Sequence, residues 1–237
     1  THCAGISASE NETYRGVAYD ANLLAVKVLD DGGSGTDSDV AAGVDWCINQ
    51  SSDYNISAIS MSLGCSGGSC THWQSYCDND SEVFFSAEPI NTANSLGIPV
   101  LIAAGNDGWT DGISSPACVS GAIPVGAVND ADTITYNRGS LLSLLAPGVS
   151  IRSTIPGTSF GDKSGTSMAT PHVAGAAVLL RQFYRLKTGL SLGIQSMKDA
   201  FNNTGKLIND SAGSGLYFSR INVYDSIRTL DIPIINF

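Results

Sequence analysis

The sequence predicts an α/β fold in three layers, a doubly wound, mostly parallel sheet with helices on both faces. Three observations lead there. Strand-like and helix-like segments alternate along the chain, the strand-like segments end in turns rich in Gly, Asn and Ser, and no Pro-rich or charge-block linker divides the 237 residues. Alternation of this kind implies right-handed crossovers between parallel strands. One domain spanning 1–237 is therefore expected. In such sheets functional groups gather just beyond the C-terminal ends of the strands.

The elements follow in order. NLLAVKVL (22–29) is apolar and bounded by Asp30-Asp31-Gly32-Gly33, which reads as a buried strand and a turn. TDSDVAAGVDWCI follows, a helix with Thr36, Asp37 or Ser38 as its N-cap. AISMSLG (58–64) is a strand, and PINTANSL (89–96) a short helix with Pro89 in its first turn. IPVLIAAGN (98–106) and AIPVGAV (122–128) are strands, and 141–154 carries another extended stretch. A long, almost uncharged helix runs from about Ser167 to Leu186, with shorter helices near 194–202 and 222–229.

Composition excludes several function classes. Hydrophobic residues make up 43% of the chain, which fits a globular protein. Twelve Lys+Arg against 22 Asp+Glu leave a net charge of −10, so a nucleic-acid partner is not expected. No apolar run approaches the roughly 18 residues a membrane span needs, and none at the start resembles a secretory signal. Neither a membrane partner nor a second subunit is expected. Six cysteines stand at 3, 47, 65, 70, 77 and 118. Cys65, Cys70, His72 and Cys77 could form a zinc site, but their spacing matches no zinc pattern. Disulfides in an extracytoplasmic protein are the stronger expectation: Cys65–Cys70 closing a Gly-rich loop and Cys77–Cys118 tying two loops, with Cys3 and Cys47 as free thiols. Spacing alone leaves other pairings open.

Candidate chemistry concentrates in SGTSMATPHVAGAAVLL, 164–180. Ser167 falls where a loop becomes a helix, and a helix N-terminus presents unpaired N–H groups that favour a developing oxyanion. Pro171 is expected near the first turn, where its missing N–H costs least. Alone, such a serine would more often be a plain N-cap. Asn106, at the end of the apolar strand IAAGN, could aim its amide into the same crevice, although an Asn before Asp-Gly is also a common turn residue.

Together these residues resemble the subtilisin-like serine proteases, the subtilases. Their nucleophile motif Gly-Thr-Ser-Met-Ala-x-Pro-His-Val-Ala-Gly stands intact from Gly165 to Gly175, and Ala104-Gly105-Asn106 is similar to the segment bearing their oxyanion asparagine. Ser62-Leu63-Gly64 and Asp31-Gly32-Gly33-Ser34-Gly35 resemble the two substrate-binding edges. Ser115-Pro116, Val125-Gly126-Ala127 and Leu145-Ala146-Pro147-Gly148-Val149 fall in the family's order. The resemblance covers nearly the whole chain and implies a serine endopeptidase. In that reading Ser167 is the nucleophile and Asn106 the oxyanion donor. An extended polypeptide substrate would lie between Ser34-Gly35 and Ser62-Leu63-Gly64, with Gly64 and Ala103-Ala104-Gly105 walling the specificity pocket.

Thr1-His2-Cys3-Ala4-Gly5 is similar to the second half of the family's His-Gly-Thr-His-x-Ala-Gly. The resemblance then puts the catalytic His two positions before Thr1 and the catalytic Asp earlier still. It makes 1–237 an N-terminally truncated catalytic domain, lacking the N-terminal strands and inactive by itself, with a gap in the sheet between 22–30 and 58–64. A fragment with such a gap is expected to fold poorly alone. It also implies a supporting role for His2, a structural role for His172, a position for Cys3 beneath the missing His, a candidate cis bond at Ser115-Pro116 and a secreted protein. No cofactor is required for the chemistry. Calcium is conceivable for stability at an unassigned site, since Ser7 to Arg15 is shorter than the family's calcium loop. Five sequons, at Asn11, Asn49, Asn55, Asn202 and Asn209, are compatible with glycosylation. An inactive, peptide-binding homologue is the rival function. An α/β-hydrolase is excluded by the lack of a G-x-S-x-G elbow, and a nucleotide-binding protein by the lack of a Gly-rich phosphate motif.

Overall fold

The computed structural model describes residues 1–65 and 70–230. Its elements are α1 (His2–Ala8), α2 (Asp37–Asn49), α3 (Ser51–Tyr54), β1 (Ile59–Met61), a 3-10 turn (Ser81–Val83), α4 (Ala87–Ser95), β2 (Val100–Ala103), β3 (Ala122–Val128), β4 (Leu144–Pro147), β5 (Ile151–Ile155), β6 (Ser159–Lys163), α5 (Thr166–Thr188), α6 (Ile194–Thr204), β7 (Lys206–Asp210), β8 (Leu216–Arg220) and α7 (Val223–Thr229). The main sheet has the order β1-β2-β3-β4-β8-β7, parallel from β1 to β8 and antiparallel at β7, and β5 and β6 form a separate hairpin.

The central strands are buried on both faces, and their two-residue period sorts side chains between two cores. Val100, Ile102 and Ala104 pack with Val40 and Val44 of α2 and Ile90 of α4. Leu101, Ile123, Val125 and Leu144 pack instead with Ala169, Val173, Ala177 and Leu180 of α5 and Phe201 of α6. The mostly parallel sheet with helices on both faces is thus as the sequence predicts. Helix α2 starts at Thr36 with a reciprocal capping box: the Asp39 N–H donates to Thr36 Oγ1 at 3.2 Å, and the Thr36 N–H donates to Asp39 Oδ2 at 2.9 Å. The Thr36 hydroxyl, which donates to Asp39 Oδ2 at 2.6 Å, and then the Thr36 N–H hold the Asp39 carboxyl below its usual range.

One expectation needs correction. Residues 22–29 are extended but join no strand ladder, and Leu23, Leu24 and Val26 are 54%, 40% and 36% exposed rather than buried. Val26 and Val28 do face α2, where Gly43 lacks the side chain that would collide with them. Among the described residues the segment has no neighbouring strand, and β1 ends the sheet. Helix α1 and the β7–β8 hairpin were not anticipated. The α1 sequence, HCAGISA, is too short to be helical by itself. It is held from outside: Ser153 Oγ and Thr154 Oγ1 donate to the carbonyls of His2 and Thr1, and Ser7 Oγ donates to that of Pro171.

Two disulfides are present, Cys65–Cys70 and Cys77–Cys118, and Cys3 and Cys47 are free. Disulfide bonding takes Cys65, Cys70 and Cys77 out of the zinc arrangement weighed above. The Gly-rich residues 66–69 that the first bridge was expected to staple lie outside the described residues. The Ser115–Pro116 bond is cis. Among the described residues no helix is long and apolar enough to cross a membrane.

Candidate active site

Helix α5 begins directly beyond the C-terminal ends of β1 and β2, and the chain just after each strand meets its first turn. Gly165 is the N-cap, at φ +146, and Ser167 is the second helical residue, partly exposed beside the fully buried Thr166. A Cβ on Gly165 would stand 3.2 Å from Asn106 Oδ1, so the glycine allows the end of β2 to approach the helix.

That approach fixes Asn106. Its Oδ1 accepts from the Thr166 backbone N–H at 2.8 Å and from the Thr166 hydroxyl at 3.1 Å. A backbone N–H can only donate, so the amide orientation is determined and Nδ2 is left as a donor. Thr166 Oγ1 in turn accepts from the Gly105 N–H at 3.2 Å. Among the described residues neither Asn106 Nδ2 nor the Ser167 N–H has a hydrogen-bond partner. Two unengaged donors therefore flank the start of α5, joined through the adjacent Thr166 amide.

Pro171 sits farther in than the sequence suggested. It is the sixth residue of α5, not in the first turn. Lacking an N–H, it leaves the Ser167 carbonyl without its helical donor. Two side chains from elsewhere fill that place: Ser62 Oγ at 2.8 Å and Cys3 Sγ at 3.3 Å. The Ser167 hydroxyl itself reaches the Ser62 carbonyl at 3.4 Å.

No histidine of the chain is hydrogen-bonded to that hydroxyl. His2 Nε2 meets the Gly161 carbonyl at 3.0 Å, His72 Nε2 lies 2.8 Å from Asp111 Oδ1, and His172 Nδ1 meets the Met168 carbonyl at 2.9 Å. Burial pushes the His172 pKa down, against the opposing pull of the Met168 carbonyl.

The predicted substrate edges lie as follows in the fold. Gly64 belongs to the site's surroundings: a Cβ there would meet the Ser115 carbonyl at 3.1 Å and the Ala103 carbonyl at 4.0 Å, and the Cys65 N–H bonds to Ser115 O at 2.8 Å. Ala103 and Ala104 are buried beneath it and Gly105 is partly exposed. Glu82 steadies this wall, accepting from the Thr71 N–H at 3.0 Å, the Trp73 indole at 3.4 Å and Ser115 Oγ at 3.0 Å. Burial opposes its ionisation, yet these donors with the Thr71 hydroxyl keep its pKa below the usual value. Ser34 and Gly35 line an open depression of about 690 Å³ with 27–30, Thr36 and Asp39, and no hydrogen bond ties them to the Ser167 cluster among the described residues. Sequence reasoning missed the parts played by Thr166, by the Ser62 hydroxyl and by Asn137, discussed below. Among the described residues, no group of three or more His, Cys, Asp or Glu is placed to hold a metal.

Fold and site define a three-layer α/β protein with a helix-mounted serine at the strand ends. The subtilase family model matches residues 1–204, and the chain belongs to that family of serine proteases. It is 42% identical over 190 residues to a thermostable alkaline protease of Halalkalibacterium halodurans, covering 78% of this chain and 47% of that protein. Subtilisin E of Bacillus subtilis is 43% identical over 187 residues, covering 76% and 44%. The chain thus spans about half the length of these curated relatives. Among solved structures, the prenylagaramide maturation protease PagA superposes with a TM-score of 0.81 at 24% identity, covering 98% of this chain and 82% of that one. A mutant of the PatA protease domain superposes at 0.78 with 26% identity, covering 97% and 79%.

Proposed function

We propose that the protein is a serine endopeptidase in which Ser167 attacks a peptide carbonyl while Asn106 Nδ2 and the Ser167 N–H receive the oxyanion. The observation that carries this reading is the clip between Asn106 Oδ1 and the Thr166 N–H at 2.8 Å, which leaves two donors unengaged at one helix end. Donors held in place before reaction stabilise the developing charge without reorganising.

A serine hydroxyl without a base is a weak nucleophile at neutral pH. With all three histidines committed elsewhere, the base and its orienting carboxylate are supplied by residues outside 1–237, as the likeness of 1–5 to half a motif suggests. The polypeptide substrate lies extended along Ser62-Leu63-Gly64 on one side and Ser34-Gly35 on the other, adding to both edges. Gly64 and 103–105 face its specificity-determining side chain. The chemistry needs no cofactor, calcium serves stability if it is bound, and the protein works as a secreted monomer. Two disulfides and relatives that include subtilisins are consistent with an extracellular setting.

The test compares 1–237 with a longer polypeptide that includes the preceding residues, each with and without Ser167→Ala. The longer form should cleave a chromogenic peptide, the substitution should abolish cleavage, and 1–237 alone should show none at an enzyme's rate. Brisk turnover by 1–237, or activity surviving Ser167→Ala, would overturn the assignment. The Ser167 hydroxyl donates to the Ser62 carbonyl at 3.4 Å rather than to a base, which also favours a second reading, an inactive homologue that binds peptide. A longer form that binds the peptide without cleaving it would establish that one.

A further inference from the structure

We propose that Asn137 is a positioning residue for Asn106, a buried amide that sets the loop 104–109 so that the Asn106 donor points at the reacting carbonyl. The inference rests on the function proposed for Asn106. Asn137 is 0% exposed, and a polar side chain that deep is stable only when each polar atom is paired. Oδ1 accepts from the N–H groups of Gly108 at 2.8 Å and Trp109 at 3.2 Å. Nδ2 donates to Asp107 Oδ2 and Ser114 Oγ, each at 3.0 Å, and to the Ala104 carbonyl at 3.2 Å. The Asn137 backbone N–H adds a bond to the Gly105 carbonyl at 3.3 Å.

Of the six residues from 104 to 109, five are thus bonded to Asn137, and Asn106 is the one left out. It is clamped on both flanks while its own side chain faces α5. Gly105 makes room for this arrangement. At φ +103 it has the backbone conformation glycine favours, and a Cβ there would fall 2.3 Å from Asn137 Nδ2. The amide is also chemically specific. Aspartate would set a second acceptor against the Ala104 carbonyl and the Asp107 carboxylate, and alanine would leave the N–H groups of Gly108 and Trp109 unpaired.

The experiment is a double-mutant cycle on the active longer polypeptide, with kcat and KM measured for Asn137→Asp, Asn137→Ala and Asn106→Ala and for each Asn137 variant combined with Asn106→Ala. Each Asn137 variant should lower kcat by about 10- to 100-fold with KM within about two-fold, the loss expected when a catalytic group is misplaced by a fraction of an ångström to 1 Å. In the Asn106→Ala background the same change should cost less than about three-fold, because the two residues act as one unit. Equal losses in both backgrounds, or a loss confined to KM, would overturn the proposal. Unchanged kcat in Asn106→Ala alone would instead remove the reading on which it rests. Should the Asn137 variants not fold, Ser114→Ala removes one acceptor of the amide and should lower kcat alone; an unchanged kcat there counts against the proposal.

Discussion

Asparagine at 106 can be separated from a mere helix cap by one substitution. Its Oδ1 accepts the first N–H of α5, which is what a capping side chain does, and a carboxylate does this better than an amide because it also complements the positive end of the helix. Asn106→Asp therefore keeps the clip to Thr166 and should leave stability unchanged or raise it by about 0.3–1 kcal/mol. Asn106→Ala removes the clip and strands the N–H of the fully buried Thr166, at a cost of about 1–3 kcal/mol. If Asn106 only capped the helix, activity would follow stability, and aspartate would be harmless.

Catalysis by Nδ2 predicts the reverse. Both substitutions delete the donor, and aspartate puts a negative charge where an oxyanion must form. Each should lose about 2.7–4 kcal/mol of transition-state stabilisation, a magnitude that belongs to subtilisin itself and is carried over here within its family. That is roughly a 10²–10³-fold fall in kcat with KM little changed. The assay pairs peptide hydrolysis by the longer polypeptide with thermal unfolding of the same variants. A stable Asn106→Asp protein with wild-type kcat would refute the argument.

Two further outcomes concern the scaffold. The Cys77–Cys118 bridge joins residues 41 apart, so replacing both by alanine frees a long loop in the unfolded chain and should cost about 4 kcal/mol by loop-closure entropy. Denaturant unfolding would show it, and a loss below about 1 kcal/mol would refute it. His172 is depressed in the fold, so the unfolded state takes up its proton first. Its contribution to stability is therefore complete above the unfolded pKa of about 6.5 and is lost as pH falls below that value. His172→Gln should flatten the fall in unfolding free energy between pH 7.5 and 5; an unaltered slope would show that other groups cause it.

What the sequence made legible was local. The N-cap of α2, the apolar strands and the helix carrying Ser167 each depend on a few adjacent residues, and they appear close to where the patterns put them. Burial of 22–29 was misjudged because an apolar run states what a strand would prefer to contact, not whether a neighbour exists. Helix α1 is short and lacks apolar periodicity, so its stability resides in β5, β6 and α5. Asn137 carries no local signal at all. Its partners at Ser114 and Ala104 are 23 and 33 positions away, and only the folded chain brings them to one amide. Ser34 and Gly35 rest on resemblance, and with residues 27–30, Thr36 and Asp39 they line an open depression.

Pro171 shows why a locally unfavourable residue can serve the site. In a helix interior proline costs about 3 kcal/mol, chiefly through the carbonyl it leaves unpaired and the ring it forces against it. Here that carbonyl belongs to Ser167, and it is taken by Ser62 from the end of β1 and Cys3 from α1. An uninterrupted helix would hold Ser167 only through its own turn. With the proline, the same residue is fastened to two other elements through its carbonyl while its N–H remains uncommitted. The Ser167 carbonyl is thereby immobilised while its N–H stays free, so under the function proposed above the residue that offers a donor to the oxyanion is fixed through a group that takes no part in the reaction.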